Sequence, residues 1–492
     1  MTVTHSMKAI HLTFVAGLLA FTGASASDMD SNAAKISEVE NGLRPAAAIN
    51  GKPVPVHSLR EEMTAMHVQG VSIAVIDHGR IAWSKGYGVS RHGGAPITPE
   101  TLFQAGSISK SLTAVAAMQL VQDGKIQLDE DVNGELTSWH FPSNAFTKSH
   151  FVTLRQLLSH TGGINVHGFE GYAAGAAVPT LLQVLNGSSP ANSPAIQVVS
   201  VPGSAWSYSG GGYTVAQQLI IDITRTPFEK WLQQQVLIPA NMQHSTFSQV
   251  LPPELANYIA MPHKENGEPV AGGPYRYPEM AAAGLWTTPT DLAKFLISIQ
   301  TAWNGGDGAL IQPTTAKEML KLVKSGSSMG FDIGGSGDDR YFAKGGDTTG
   351  FAGQMVAFNS RGEGVVILTN SSDGNALADE LIRSVAAAYH WPALQTHMRS
   401  VGHVDGKKLH LLAGNYAYGD RGRFSIQVEG GHLSIKQILR PAESMYPQNA
   451  TTWFTLSDDE KYVFNDDNGA SGYIDDGGER VSFHRLKESE LK

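Results

Sequence analysis

The sequence predicts an α+β fold: an antiparallel sheet flanked by helices, with a helical region inserted into it, and then a small all-β barrel. Two observations predict the sheet. β-rich runs with hairpin signals occur near residues 71–89 and again near 351–369, and the chain between them is mostly helical and loop-like. A third observation predicts the barrel, because short β-runs alternate with turns beyond residue 400. We therefore expect the two hairpins to lie side by side in one sheet.

Composition excludes several classes of protein. The 492 residues are 41% hydrophobic and 16% charged, which is enough to bury a large core and excludes a disordered chain. There are 36 Lys and Arg against 45 Asp and Glu, a net charge of −9, so no nucleic-acid partner is expected. Cysteine is absent, which excludes disulfides, thiolate metal sites and a Cys nucleophile. No His-Glu-x-x-His motif or compact His/Asp cluster occurs, so we expect neither metal nor cofactor.

The N-terminal segment has the pattern of a targeting signal. Lys8 precedes an apolar run at 10–21, and Ala24-Ser25-Ala26 supplies the small residues of a cleavage site. The run is shorter than the ~20 residues of a transmembrane helix, although an uncleaved anchor is the alternative. We expect residues 1–26 to be a signal peptide. The mature chain would then begin near Ser27 and be exported, periplasmic or secreted, without a stable membrane anchor.

The elements before residue 130 carry local signals. Ser58 can cap a short amphipathic helix, with Glu61 three residues later completing a capping box. Asp77-His78-Gly79 is a hairpin signal between two β-rich runs. Apolar residues at helical spacing follow Ser107, and Gly124 is a plausible stop for that helix.

The later elements repeat this pattern. A turn at 359–362 joins runs at 351–358 and 364–369, and a helix is expected from 376 to 389. The predicted strands of the C-terminal part are 424–428, 433–438, 453–456, 462–464 and 481–486. The acidic cluster near 466–476 does not match the EF-hand spacing, and turn chemistry explains its Asp, Asn and Gly residues equally well.

Ser107-Ile108-Ser109-Lys110 is the first candidate for chemistry. At a helix N-terminus the Ser107 hydroxyl would lie beside backbone N–H groups and the positive end of the helix dipole, which favour an attacking alkoxide. Lys110 would lie one turn later on the same face. The alternative is that Ser107 only caps the helix and Lys110 is a solvated charge.

Two further candidates are glycine-rich. Tyr208 precedes Gly210-Gly211-Gly212, which we interpret as a turn entering a helix at 214–223 and letting the phenol point into a cleft. The alternative is a packed aromatic under a turn. Lys344-Gly345-Gly346 comes just before the 351 strand, where small residues would let a substrate approach an edge strand beside the Lys charge. The alternative there is an ordinary glycine turn.

In this order the three elements resemble those of the penicillin-recognising serine hydrolases: class C β-lactamases, D-alanyl-D-alanine carboxypeptidases and their esterase and D-aminopeptidase relatives. Ser107-x-x-Lys110 is similar to the nucleophile motif, Tyr208-Ser209-Gly210 to Tyr-x-Asn, and Lys344-Gly345-Gly346 to Lys-Thr-Gly. Stretches at 157–163 and 283–292 also match, and the resemblance covers roughly residues 57–390.

This resemblance implies a β-lactamase/transpeptidase-like fold. It implies a serine hydrolase domain at 27–395, and residues 401–492 resemble the small lipocalin-like barrel often attached to such enzymes. The implied substrates are β-lactams, D-amino-acid peptides or short-chain esters. The implied partners are these small-molecule or peptide substrates, with cell-wall fragments as a further class.

The resemblance also implies a covalent mechanism. Ser107 would attack a carbonyl, activated by Lys110 and Tyr208, and which of the two takes the proton is left open. The N–H groups of Ser107 and Asp347 would form the oxyanion hole, and water would release the acyl group. Gly210 and the 344–347 stretch (Lys344, Gly345, Gly346 and Asp347) would contact the substrate.

Two departures from the family pattern bear on specificity. Gly210 stands in place of an Asn amide, and Gly345 stands in place of a Thr hydroxyl that helps hold a substrate carboxylate. We expect a roomier and less polar site that turns over short acyl esters more efficiently than penicillins. On this reasoning Gly210→Asn should shift the ratio toward β-lactams.

Other interpretations compete with a serine hydrolase. The chain could keep the fold as a sensor that is acylated once without turnover, or as a cell-wall-binding protein. Residues 326–330 formally match the G-x-S-x-G elbow of an α/β-hydrolase, but the glycine- and aspartate-rich stretch that follows cannot form the helix this elbow requires.

Overall fold

A computed structural model describes residues 26–490 except 420–421, 438–441, 467 and 476–479. The predicted signal peptide therefore lies outside the described residues apart from Ala26, with which the first helix begins. Parts of the acidic 466–476 cluster also lie outside them. Within the described ranges, no helix is both long and apolar enough to cross a bilayer.

The helices and strands are numbered in chain order. The helices are α1 (Ala26–Glu40), α2 (Leu59–Ala65), α3 (Ser109–Gln122), α4 (Leu154–Leu158), α5 (Leu181–Asn186), α6 (Gly210–Thr224), α7 (Phe228–Leu232), α8 (Pro253–Ala256), α9 (Met280–Ala283), α10 (Pro289–Trp303), α11 (Pro313–Met319), α12 (Gly374–Ala388) and α13 (Gly406–Leu412). The strands are β1 (Ala47–Ile49), β2 (Gly70–Asp77), β3 (Arg80–Gly88), β4 (Phe103–Gln104), β5 (Trp286–Thr287), β6 (Asp332–Gly334), β7 (Tyr341–Thr348), β8 (Phe351–Phe358), β9 (Gly364–Thr369), β10 (His397–Arg399), β11 (Gly414–Tyr418), β12 (Gly422–Glu429), β13 (His432–Gln437), β14 (Glu443–Pro447), β15 (Thr452–Phe454), β16 (Lys461–Phe464), β17 (Ser471–Asp475) and β18 (Arg480–Arg485).

The central sheet has six antiparallel strands in the order β3-β2-β9-β8-β7-β6. The two predicted hairpins are neighbours in it, because β2 pairs with β9 from Val71↔Thr369 to Ile76↔Gly364. This confirms the predicted assembly of the sheet from both ends of the domain. β2, β8 and β9 are buried almost throughout, as expected of strands covered on both faces.

Helices cover both faces of the sheet. α10 packs on the inner face, next to the helical region, and the two form one large core. α1 and α12 cover the outer face around a second core. The predicted capping box is present at α2, where Ser58 and Glu61 exchange side-chain and backbone hydrogen bonds. The helix predicted at 376–389 is α12.

The two helices beside the candidate residues begin differently from the predictions. Ser107 lies in a 3-10 turn, Gly106–Ile108, and α3 begins only at Ser109. The glycines at 210–212 form the first turn of α6 instead of a loop, because the Ser209 side chain accepts a hydrogen bond from the Gly212 N–H and caps the helix. Crowding explains the glycine at 211, since a Cβ there would lie 2.7 Å from the Asn165 carbonyl oxygen.

The C-terminal part forms a closed eight-stranded barrel, β11 to β18, as predicted. Strands β11, β14 and β17 were missed by the sequence prediction. Buried aliphatic and aromatic side chains fill its interior, and the aromatic ones are Tyr416, Phe424, Trp453, Tyr462, Phe464 and Phe483.

One loop of the barrel, residues 456–459, contacts the N-terminal domain through hydrogen bonds and ion pairs. Short strand β10 pairs in parallel with β1. The N–H of Ala47 donates to the Leu456 carbonyl at 2.9 Å, and Asp459 contacts Arg399 and His397. The barrel therefore docks beside β1 and β10.

Candidate active site

The Ser107 turn lies directly against strand β7. Gly106 has φ +50°, and a Cβ there would lie 2.4 Å from the Asp347 carbonyl oxygen. From the other side, a Cβ on Gly346 would lie 2.7 Å from the Ser107 nitrogen. The two backbones approach this closely only because both positions are glycine. The Ser107 and Asp347 backbones, whose N–H groups are the predicted oxyanion hole, are thus brought side by side.

The Ser107 hydroxyl is contacted by both predicted partners. Lys110 Nζ donates to Ser107 Oγ at 2.9 Å, and the Tyr208 hydroxyl donates to it at 2.8 Å. Neither the 3-10 turn nor α3 has a side-chain cap, so the interpretation of Ser107 as a helix cap is wrong. Lys110 is only 2% exposed, which also excludes a solvated charge.

Burial governs the charge of Lys110. Besides Ser107, its Nζ contacts the Ala282 carbonyl at 2.8 Å. Desolvation, reinforced by the nearby Lys344 ammonium and opposed by Asp347, lowers the pKa of Lys110 well below its ordinary value. A neutral amine at this position can accept a proton from the hydroxyl it contacts.

The Tyr208 ring lies between two imidazoles. The ring centroids of His160 and His167 lie 4.2 and 4.7 Å from that of Tyr208. His160 Nδ1 accepts a hydrogen bond from the Ser209 N–H at 3.1 Å, which fixes the backbone next to Tyr208. Burial and the two lysines lower the pKa of His160, so it is neutral. Burial raises the pKa of Tyr208 to about 12, so its phenol keeps its proton at neutral pH.

Lys344 lies on β7 with its ammonium 5.2 Å from the Tyr208 ring centroid. It is 5% exposed and belongs to a strand, so the glycine-turn interpretation is wrong. Its Nζ contacts Asp332 Oδ2 at 3.2 Å, and no sequence signal marks Asp332 as its partner. Gly345 has open space, because a Cβ there would meet nothing closer than the Gly353 carbonyl oxygen at 3.9 Å.

The space beside Gly210 is not open. A Cβ there would lie 3.0 Å from the His167 carbonyl oxygen and 3.1 Å from the Phe169 ring. The Gly210 N–H also donates to that His167 carbonyl at 2.9 Å. The expectation of a roomier site therefore holds at Gly345 and is wrong at Gly210. The shift toward β-lactams that we expect from Gly210→Asn requires the 165–169 loop to move.

The α/β-hydrolase alternative is wrong. Ser328 is fully buried and its hydroxyl donates to the Phe331 carbonyl, and the short strand β6 follows where that elbow needs a helix. Among the residues that the structure describes, no group of three or more His, Cys, Asp or Glu could hold a metal ion.

Comparison with known proteins identifies the family. A family model described as Beta-lactamase matches residues 57–390. This chain belongs to the beta-lactamase family. Its resemblance to penicillin-recognising serine hydrolases is thereby confirmed, together with the β-lactamase/transpeptidase-like fold.

Three similar proteins illustrate the range of names among the relatives and solved structures. The Bacillus subtilis (strain 168) protein named "Putative penicillin-binding protein PbpX" is 28% identical over 310 residues, 61% of this chain and 70% of that protein. The octameric penicillin-binding protein homologue from Pyrococcus abyssi matches 86% of this chain and 98% of its own, with TM-score 0.60 and 21% identity. The D-amino acid amidase of Ochrobactrum anthropi SV3 matches 67% of this chain and 97% of its own, with TM-score 0.54 and 21% identity. At such identities the two solved structures show the fold alone.

Sequence reasoning missed three residues of the site. His160 lies within the matching stretch 157–163, so the resemblance pointed to it without giving it a role. His167 and Asp332 carry no local signal, because they reach the site only through the folding of their loop and short strand.

Proposed function

We propose that this chain is a serine hydrolase that works through an acyl-enzyme on Ser107. The observation that carries the proposal is the pair of hydrogen bonds on one hydroxyl, from Lys110 at 2.9 Å and Tyr208 at 2.8 Å. Such catalysis first requires that a general base lie within hydrogen-bonding distance of the nucleophile, as Lys110 does here. Membership of a family of serine hydrolases supports the same chemistry.

Lys110 is the general base of the proposed mechanism. Its lowered pKa leaves a free lone pair on Nζ, whereas Tyr208 with a pKa of about 12 remains a donor. The Ser107 proton passes to Lys110 Nζ as Oγ bonds to the substrate carbonyl carbon. The carbonyl oxygen takes up negative charge and is stabilised by the N–H groups of Ser107 and Asp347.

Acyl transfer and hydrolysis then follow in two steps. Collapse of the tetrahedral intermediate expels the alcohol or amine, which leaves with the proton that Lys110 had accepted. Water attacks the acyl-enzyme while Lys110 takes one of its protons, and that proton returns to Ser107 Oγ as the acid departs. Tyr208 donates its hydrogen bond to Oγ in both steps. This bond stabilises the negative charge that develops on Oγ as it loses its proton in the first step and as it leaves the acyl group in the second.

Short-chain acyl esters are the proposed substrates, ahead of β-lactams and D-amino-acid peptides. Esters need only a nucleophile and an oxyanion hole. β-Lactams and D-peptides present amide and carboxylate groups as well, and each unmet hydrogen bond to such a group costs about 1–3 kcal/mol. At Gly345 the chain has no side chain that could meet one.

Ser107→Ala is the decisive variant. We expect it to abolish hydrolysis of phenyl acetate while the melting temperature stays nearly unchanged, because Ser107 caps no helix. Ser109→Ala is not a suitable control, since Ser109 Oγ bonds the Gly106 carbonyl and the Leu285 N–H. Ser336→Ala, in the exposed β6–β7 connection, is the matched control and should keep full activity. An active Ser107→Ala protein would end the proposal.

Mass spectrometry separates an enzyme from a sensor that is acylated once. After incubation with a chromogenic cephalosporin and with an aryl ester, an enzyme releases product and returns to its original mass. A sensor or cell-wall-binding protein releases at most one equivalent and keeps the adduct.

We further propose that the chain is exported, on the strength of the apolar run and small residues before Ser27. N-terminal sequencing of the protein from fractionated cells tests this. A start near Ser27 in the envelope or medium is expected, and a full-length chain in the cytoplasm would refute it.

A further inference from the structure

The Lys344 ammonium is already paired before any substrate arrives. Asp332 on β6 places its two carboxylate oxygens 3.2 and 3.5 Å from Lys344 Nζ. The Lys344 side chain is 6% exposed, whereas that of Asp332 is 53% exposed and open to exchange with solvent or ligand. The pair lies at the reacting centre, since Lys344 Nζ is 5.2 Å from the Tyr208 ring and the Tyr208 hydroxyl contacts Ser107.

This pairing removes the positive charge that would attract an anionic substrate. A substrate carboxylate that approaches Lys344 must displace Asp332 or remain beside a like charge. Asp347, exposed on β7, adds a second negative charge, and burial lowers the pKa of Lys110 well below its ordinary value. The negative charges of Asp332 and Asp347 act on the reacting groups, because each of them contributes to raising the pKa of Tyr208.

We propose that Asp332 is a specificity-determining residue: its carboxylate neutralises Lys344 and selects against substrates that carry a carboxylate near the scissile bond. The preferred substrates are then acyl esters that are uncharged on this side. The inference rests on the proposed serine hydrolase function. It attributes the enzyme's preference for uncharged esters to Asp332. It is independent of the missing side chains at 210 and 345, because it concerns charge instead of hydrogen-bonding groups.

The test compares two esters that differ in one carboxylate, phenyl acetate and 3-carboxyphenyl acetate. We expect Asp332→Asn to raise the ratio of kcat/KM for the carboxylate ester to that for the neutral ester about tenfold or more. The two like charges are the Asp332 carboxylate and the carboxylate of a substrate that binds Lys344. At a separation of roughly 7 Å and an effective dielectric constant of about 20, their repulsion lowers kcat/KM for the carboxylate ester by a factor of that order. The gain should shrink as salt is added, because partly exposed charges are screened.

The control is Asp338→Asn. Asp338 is exposed in the 3-10 turn Gly337–Asp339 of the same β6–β7 connection, so its substitution changes the net charge equally. We expect its ratio to match that of the wild type. Each ratio is measured on a single preparation, so any unfolded fraction cancels.

Binding gives the same comparison without turnover. Phenylboronic acid and 3-carboxyphenylboronic acid are titrated calorimetrically into wild type and Asp332→Asn. If neither protein hydrolyses an ester but the variant gains preference for the carboxylated boronic acid, the role of Asp332 stands and the proposed hydrolase function fails. If the ester and boronic acid ratios both stay within twofold of wild type, or if Asp338→Asn changes them equally, the role of Asp332 is overturned.

Discussion

Strand β7 touches the Ser107 turn through Gly346, and we expect Gly346→Ala to remove most of the hydrolytic activity. The added Cβ would lie 2.2 Å from the Ala105 carbonyl oxygen, 2.7 Å from the Ser107 nitrogen and 2.8 Å from the Ile108 nitrogen. All three are backbone atoms, so no side-chain rotation relieves the contact. The strand or the turn must shift by about 1 Å to restore ordinary van der Waals separation.

The magnitude follows from this displacement. Misplacing a catalytic group by about 1 Å costs roughly 100-fold in rate, which is about 2.7 kcal/mol of activation free energy. Overpacking of this kind also lowers the free energy of unfolding by about 1–3 kcal/mol. We therefore expect kcat to fall more than the folded fraction can explain.

Gly345→Ala is the matched control, one residue away. Its Cβ would meet only the Gly353 carbonyl oxygen, at 3.9 Å. Neither glycine has a positive φ, so alanine suits both backbones. We expect Gly345→Ala to keep activity within about threefold and to gain up to about 1 kcal/mol of stability, because alanine restricts the unfolded chain.

The assay measures kcat and KM on phenyl acetate for both variants, corrected for the folded fraction from thermal denaturation. If Gly346→Ala keeps wild-type kcat and melting temperature, the Ser107 turn and strand β7 do not lie in direct backbone contact, and the prediction is refuted. If Gly345→Ala loses as much activity as Gly346→Ala, the effect belongs to the strand as a whole and the steric reasoning is refuted.

Two further predictions concern buried titratable groups. Because burial lowers the pKa of Lys110, kcat/KM should already be high at neutral pH and fall on acidification as the amine protonates; a profile that rises only near the ordinary lysine value of 10.5 would contradict this. Lys110→Arg should lose about 100-fold or more at every pH, since the guanidinium stays protonated. Glu279 is fully buried, neither carboxylate oxygen has a hydrogen-bond partner, and burial raises its pKa to about 7 from 4.5. A carboxyl group whose pKa is raised in the folded protein contributes stability that is complete below about pH 4.5 and is lost as the pH rises through about 7. The free energy of unfolding of Glu279→Gln should therefore exceed that of the wild type by about 3 kcal/mol at pH 8 and equal it at pH 4. Melting temperatures across this range check it, and a gain that does not vary with pH would count against it.

Local signals account for the elements that the sequence predicted well. The Ser58 capping box and the His78-Gly79 turn depend on residues a few positions apart, so their partners are visible in the sequence. Barrel strands β11, β14 and β17 were missed because their Gly, Pro and polar residues leave no run of β-forming side chains, and only one or two residues of each are buried. Their pairing with neighbouring strands stabilises them, which is information that no local window contains.

The sequence by itself determined the order of the motifs, and with it the family, the sheet built from two distant hairpins and the trio Ser107, Lys110 and Tyr208. The sheet follows from local β-rich runs and turn signals, and the family and the trio follow from the resemblance of three ordered motifs to the family pattern. Only the tertiary structure decided the charge and shape of the cleft. Asp332 pairs with Lys344 because strand β6 folds back beside β7, and His167 and Phe169 fill the space at Gly210 because an earlier loop packs there. Electrostatic and steric effects depend on distance in space, and sequence separation does not encode it.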